Sequence, residues 1–137
     1  MMTSKILESI ENKASDSRDL AIDDLADLFE SNHLSEAEKM QAVSKLLQMV
    51  DQEQEPSVIE SIYNMFGIAF IDDICSSEIA QKCADMLHQL EPGSLVHALP
   101  IIAESDLSNR KELIMQYLSS ENPAVEKVAR ESLQQLS

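Results

Sequence analysis

Two glycines and four prolines in 137 residues constrain this chain more than any other feature. Antiparallel strands are joined by tight turns, and those turns draw on Gly, Pro, Asn and Asp for backbone angles that other residues avoid. A chain with so few Gly and Pro cannot supply them in the number an all-β fold needs. No segment alternates apolar and polar residues long enough to read as a half-buried strand. Leu, Ala, Glu, Gln, Lys and Met dominate instead, and all are good helix formers. Apolar residues make up 44% of the chain, which is enough to drive folding rather than disorder. The expectation is one all-α domain over residues 1–137, built of about eight short helices stacked as an irregular α-solenoid or a compact helical bundle.

Start and stop signals divide the chain. A first helix is expected over residues 3–12, with Ile6, Leu7 and Ile10 inward, and a second over 16–31. Ser35 and Glu38 have capping-box spacing and open a third, over 35–50, with Met40, Val43, Leu46, Leu47 and Val50 apolar. The acidic linker DQEQEPS follows. Pro56 suits the first turn of a helix over 56–70. SSEIAQKCADMLHQL forms the next helix, over 76–90, and EPG stops it. A short helix over 94–104 is expected to bend or fray at Pro100. The last two span 108–119 and 122–136, the final one with Asn122 as N-cap and Pro123 in the first turn.

One apolar template recurs. Val58, Ile62, Met65, Phe66 and Ala69 follow spacings of +4, +3, +1 and +3, as do Ile79, Cys83, Met86, Leu87 and Leu90. Val125, Ala129, Ser132, Leu133 and Leu136 repeat it, 46 residues after the second copy. That separation falls in the ~40–47-residue range of HEAT and armadillo units. SSENPAVEKVARESLQQL resembles a HEAT-like repeat helix, in which a polar turn leads into Val, Ala and Leu on one face. LVHALPIIAES resembles its partner helix, including the internal Pro100. Glu126 stands where HEAT-like repeats usually carry Arg, so a regular solenoid and an irregular bundle both stay open. The resemblance covers roughly residues 36–137 and implies an extended surface for protein partners.

The formal charge is −15, from 25 acids against 10 Lys and Arg. Direct nucleic-acid binding requires a basic footprint, which is missing. An anionic membrane surface would repel the chain. A cationic protein would be drawn to it. Residues 1–75 hold 16 acids and 5 bases, a balance of −11, whereas residues 76–137 hold 9 and 5, a balance of −4. On a helical wheel Asp16, Asp19, Asp23, Asp27 and Glu30 fall on one stripe without Lys or Arg, while Ala21, Ile22, Leu25, Leu28 and Phe29 fall on another. Like charges at this spacing cost a helix roughly 0.2–0.5 kcal/mol per pair. Acidic runs are most often solvated faces, but such faces usually mix signs. With Asp24, Glu53, Glu55, Asp72 and Asp73, the stripe is the candidate partner-binding surface.

Catalytic and metal motifs are poorly matched. DDLAD at 23–27 fits the acidic magnesium motif of terpenoid synthases, but the chain is far too short for that fold and lacks a second motif. DQEQE at 51–55 starts like a calcium loop, yet the turn glycine is replaced by Pro56 and position twelve is Ile62. His33, His88 and His97 show no zinc spacing. Cys83 falls on an apolar helix face, where a packed thiol is expected rather than a nucleophile. Two cysteines make no disulfide framework. No cofactor, metal or enzymatic activity is expected. No signal peptide and no membrane span is evident, so the chain is expected in the cytoplasm, as a monomer.

Size, acidity and helical texture together resemble the HEAT-like immunity proteins of contact-dependent growth inhibition and related polymorphic toxin systems, some of which neutralise EndoU-type RNase domains. The resemblance implies a cognate basic, nuclease-like toxin domain as partner. The acidic surface would cover its active-site groove. Two alternatives remain: a HEAT-like adaptor whose acidity serves solubility, and an enzyme using scattered carboxylates with a metal ion.

Overall fold

The computed structural model describes Glu8, residues 18–31 and residues 33–136. Among them the chain forms seven α-helices and no strand: α1 Arg18–Glu30, α2 Glu36–Val50, α3 Pro56–Ile71, α4 Ser76–Met86, α5 Pro92–Glu104, α6 Arg110–Met115 and α7 Pro123–Gln134. A 3-10 turn, Leu87–Gln89, follows α4. The protein is all-α, as its glycine-poor sequence implies. The helix expected over 3–12 lies outside the described residues apart from Glu8, and so does Asp16. The chain divides into two compact units, Met1–Ser76 and Ser77–Ser137.

In the first unit α1 and α2 both pack against α3. The apolar template of α3 explains why. Val58, Ile62, Met65, Phe66 and Ala69 are all buried, with Tyr63 beside them. Ile22, Leu25, Ala26 and Phe29 come in from α1, and Ala42, Val43, Leu46 and Val50 from α2. Each large side chain so buried contributes about 1.5–3 kcal/mol. Tyr63 and Phe66 meet edge to face, with centroids 5.2 Å apart.

Capping sets the helix boundaries. Ser35 Oγ accepts from Glu38 N at 3.2 Å, and Glu38 Oε1 accepts from Ser35 N at 3.1 Å. Pro56 opens α3. α3 ends in a Schellman arrangement: Ile74 N donates to Ala69 O, and Asp73 N donates to Phe70 O. Asp73 takes the left-handed conformation (φ 59°) that usually goes to glycine.

One of the apolar positions of α2 does not face the core. Met40 is 52% exposed, and its neighbour Lys39 is buried. The Lys39 ammonium reaches Asp72 at 2.8 Å and lies 5.6 Å from the Phe29 ring centroid. A periodicity rule that treats lysine as polar does not anticipate a stem packed inward with a paired head.

In the second unit α5, α6 and α7 pack on one another. Leu95, Ala98, Leu99, Ile101 and Ile102 of α5 are buried, together with Ile114, Val125 and Ala129. Three boundaries differ from expectation. α5 starts at Pro92, in the first helical turn, and is assigned as helix continuously past Pro100 to Glu104. α4 stops at Met86 and tightens into the 3-10 turn, so the second template copy runs off the helix, although Leu87 stays buried. α6 is shorter than 108–119, and its C-terminal residues continue as turns, with Tyr117 N donating to Ile114 O and Leu118 N to Met115 O. The Tyr117 hydroxyl donates to Leu87 O at 3.2 Å. α7 begins as expected, with Asn122 Oδ1 accepting from Ala124 N and Val125 N at 3.0 and 3.2 Å.

Candidate functional site

Packing of Ile22, Leu25, Ala26 and Phe29 against α3 decides where the acids of α1 go. Side chains at 23, 27 and 30 must face away, and Asp23, Asp24, Asp27 and Glu30 are all exposed. Asp19 is half-buried, its Oδ1 accepting from Leu20 N at 3.0 Å. Partial desolvation, and then the charges of Asp19, Asp24 and Asp27, push the Asp23 carboxyl above its ordinary value. The acids of the row therefore repel one another.

Glu53 belongs to a different environment. Its carboxylate accepts from Nη1 and Nη2 of Arg18, the former at 3.0 Å, and the two side chains are 5% and 4% exposed. Glu53 Oε2 also accepts from the amides of Gln54 and Glu55. Burial alone would push this carboxyl up. The Arg18 and Glu55 hydrogen bonds, the Arg18 charge and the Gln54 amide outweigh it and hold the group below its ordinary value. The charge of Glu53 thus turns inward, tying the DQEQEPS linker to the start of α1, and is not part of a solvent-facing surface. The available signal was Arg18 itself. It is the single Lys or Arg between Lys13 and Lys39, and it falls on the side of α1 away from the acidic stripe.

Glu55 is exposed at the N-cap of α3 and makes no side-chain cap. Asp73 is exposed, and its Oδ1 accepts from Ser76 Oγ at 2.7 Å. Asp72 combines exposure with pairing. Its Oδ2 accepts from Lys39 Nζ, and its side chain remains 41% exposed. Glu30 and Asp72, 42 positions apart in sequence, come together as walls of one open pocket of about 310 Å³, with Phe29, Ile68 and Ile71. Sequence reasoning placed both acids on the surface but did not pair them, nor did it find the three apolar walls.

Among the described residues, no group of three or more His, Cys, Asp or Glu is arranged to hold a metal ion. Burial pushes the Cys83 thiol up to about 12, so the thiolate needed for nucleophilic attack is suppressed at neutral pH. Neither Cys75 nor Cys83 is in a disulfide. No helix among the described residues is long and apolar enough to cross a membrane. What the arrangement offers is recognition: exposed carboxylates on a helix held by its buried face, ending beside a pocket with apolar and acidic walls. No protein-family model, curated protein or solved structure matches the chain.

Proposed function

We propose that this chain is an immunity protein, which binds a cognate cationic, nuclease-like toxin domain and covers its active-site groove with the acidic face of α1. The observation that carries the reading is the sorting of charge in the first unit. Arg18 and Lys39 are buried and spend their charges on internal partners. Asp23, Asp24, Asp27 and Glu30 are exposed. Each pairing cancels one charge of either sign and leaves the net charge as composition gives it; what the fold adds is that the exposed acids of α1 share one face, away from both cations. An acidic face of this kind accelerates encounter with a basic groove, and a cation arriving at Asp23 offsets the repulsion from Asp19, Asp24 and Asp27.

The test is co-expression with the product of the gene immediately upstream, where a cognate toxin is expected. Protection of growth and a complex that weakens as salt rises support the reading. Asp23→Lys with Asp27→Lys is expected to weaken the complex and abolish protection, while Glu126→Lys on α7 leaves both unchanged. Full protection by the double reversal removes α1 from the interface. A harmless neighbour and a salt-insensitive partner favour the alternative, an adaptor using apolar contacts. Met115 and Leu118, large exposed apolar residues of the second unit, are what favour that alternative.

A further inference from the structure

We infer that the pocket between the ends of α1 and α3 receives an arginine side chain of the cationic partner, and so supplies the specific anchor that a diffuse acidic face lacks. This rests on the function proposed above and identifies what that surface grips. Five observations converge. The pocket lies where two helices end, with Phe29 and Glu30 from the last turn of α1 and Ile68, Ile71 and the C-cap Asp72 from the end of α3. Helix C-termini carry partial negative charge, and neither last turn holds a basic residue to offset it. Glu30 and Asp72 add two carboxylates, and the Lys39 ammonium paired with Asp72 cancels one, so a single negative charge remains for an incoming cation. Ile71 is 81% exposed, and a large apolar side chain left in water beside a pocket gains by being covered. The volume, about 310 Å³, is at the small end of the range for ligand sites and suits one long side chain rather than a groove-filling segment.

Arginine fits this mixture better than lysine. Its aliphatic stem covers Ile68 and Ile71. Its guanidinium is planar and weakly hydrated, and its forked donors can meet carboxylates on two walls at once, whereas an ammonium is a compact, strongly hydrated point charge. The acids at 19, 23 and 27 then steer the partner, and the pocket at the end of their row fixes its register.

The inference is tested on the full chain by NMR titration with three probes: acetyl-arginine amide, its neutral isostere acetyl-citrulline amide, and acetyl-lysine amide. Saturable amide shifts confined to residues 29–30 and 68–72 are expected with the arginine probe. Citrulline should produce none, and lysine should bind roughly tenfold more weakly. Glu30→Gln and Ile71→Ser alter exposed side chains without touching the core, and each should abolish saturation. Shifts spread along 19–30 and equal for arginine and lysine mean plain charge attraction and overturn the inference, as does the absence of any saturable shift. The partner complex separates the two claims. If a cationic toxin binds with salt dependence but tolerates both pocket variants, the anchor is wrong and the function stands. If no cationic protein binds, the function fails, whatever the probes show.

Discussion

The two units of this protein are both small helical assemblies, but they use polar groups in different ways. In Met1–Ser76 opposite charges reach across the structure: Arg18 to Glu53, 35 positions away, and Lys39 to Asp72, 33 positions away. In Ser77–Ser137 the contacts go to main-chain groups instead, and most are local. Tyr117 donates to the carbonyl of Leu87, Arg110 donates to the carbonyl of Ser105, and Asn122 caps two amides. The difference teaches how a strongly acidic segment becomes a directed surface. By drawing Arg18 and Lys39 inside, the first unit ties its segments together, while Asp23, Asp24, Asp27 and Glu30 stay exposed on α1. The second unit has little charge imbalance to sort, so its chemistry is apolar packing plus local capping.

The strongest way to break this comparison is to remove Glu53. Glu53→Ala removes the buried carboxylate that accepts from the Arg18 guanidinium, and loss of a hydrogen bond to a charged group typically costs about 1.5–3 kcal/mol. The corresponding cut in the second unit, Tyr117→Phe, removes one neutral hydrogen bond and should cost about 1 kcal/mol. Urea denaturation of both variants measures the contrast. If Tyr117→Phe proves the more damaging, charge is not what distinguishes the units.

Titration should sharpen it from opposite ends of the pH scale. Glu53 is held below its ordinary 4.5 in the folded chain, so its contribution is fully present above pH 4.5 and is lost as pH falls through the lower folded value. Asp23 runs the other way, because its repulsion is relieved by protonation, but it is exposed and screened. Cys83 and Tyr117 are both raised, chiefly by burial. Folding holds their protons where the unfolded chain would release them, so stability falls as pH rises beyond the ordinary 9.0 for the thiol and 10.0 for the phenol. Residue-resolved NMR should therefore show amides of the first unit lost first in acid and amides of the second unit lost first in base. Simultaneous loss at both ends breaks the comparison.

The smallest effect concerns the end of α3. A non-glycine residue in the left-handed region carries roughly 1–2 kcal/mol of strain, partly recovered at Asp73 by the hydrogen bond from Ser76. Glycine removes the strain but costs about 0.5–1 kcal/mol in chain entropy. Asp73→Gly should therefore raise stability by about 0.5 kcal/mol, read as a small increase in Tm. A decrease would mean that the Ser76 contact outweighs the strain.

Several of these features were legible before any coordinates. Ser35 with Glu38, Pro56, and Asn122 with Pro123 mark helix starts, because capping depends on residues three or four positions apart. The wheel of α1 separated its buried and acidic faces for the same reason. Pro100 does not fray the helix: a proline removes one hydrogen-bond donor, and the helix continues past it, with Leu99, Ile101 and Ile102 buried. Lys39 is buried in α2 with a carboxylate more than thirty residues away as its partner, which the local pattern did not show.

By itself, then, the sequence determined that the chain is helical, where most helices begin, and that one face of α1 carries only acids. Each follows from local composition and a 3.6-residue period. Only the tertiary structure decided which acids point into water. Asp23, Asp27 and Glu30 remain outside, Glu53 is turned in by Arg18, and Asp72 meets Glu30 across a pocket. The physical reason is that a charge settles where its partner is, and no helical period encodes a partner more than thirty positions away.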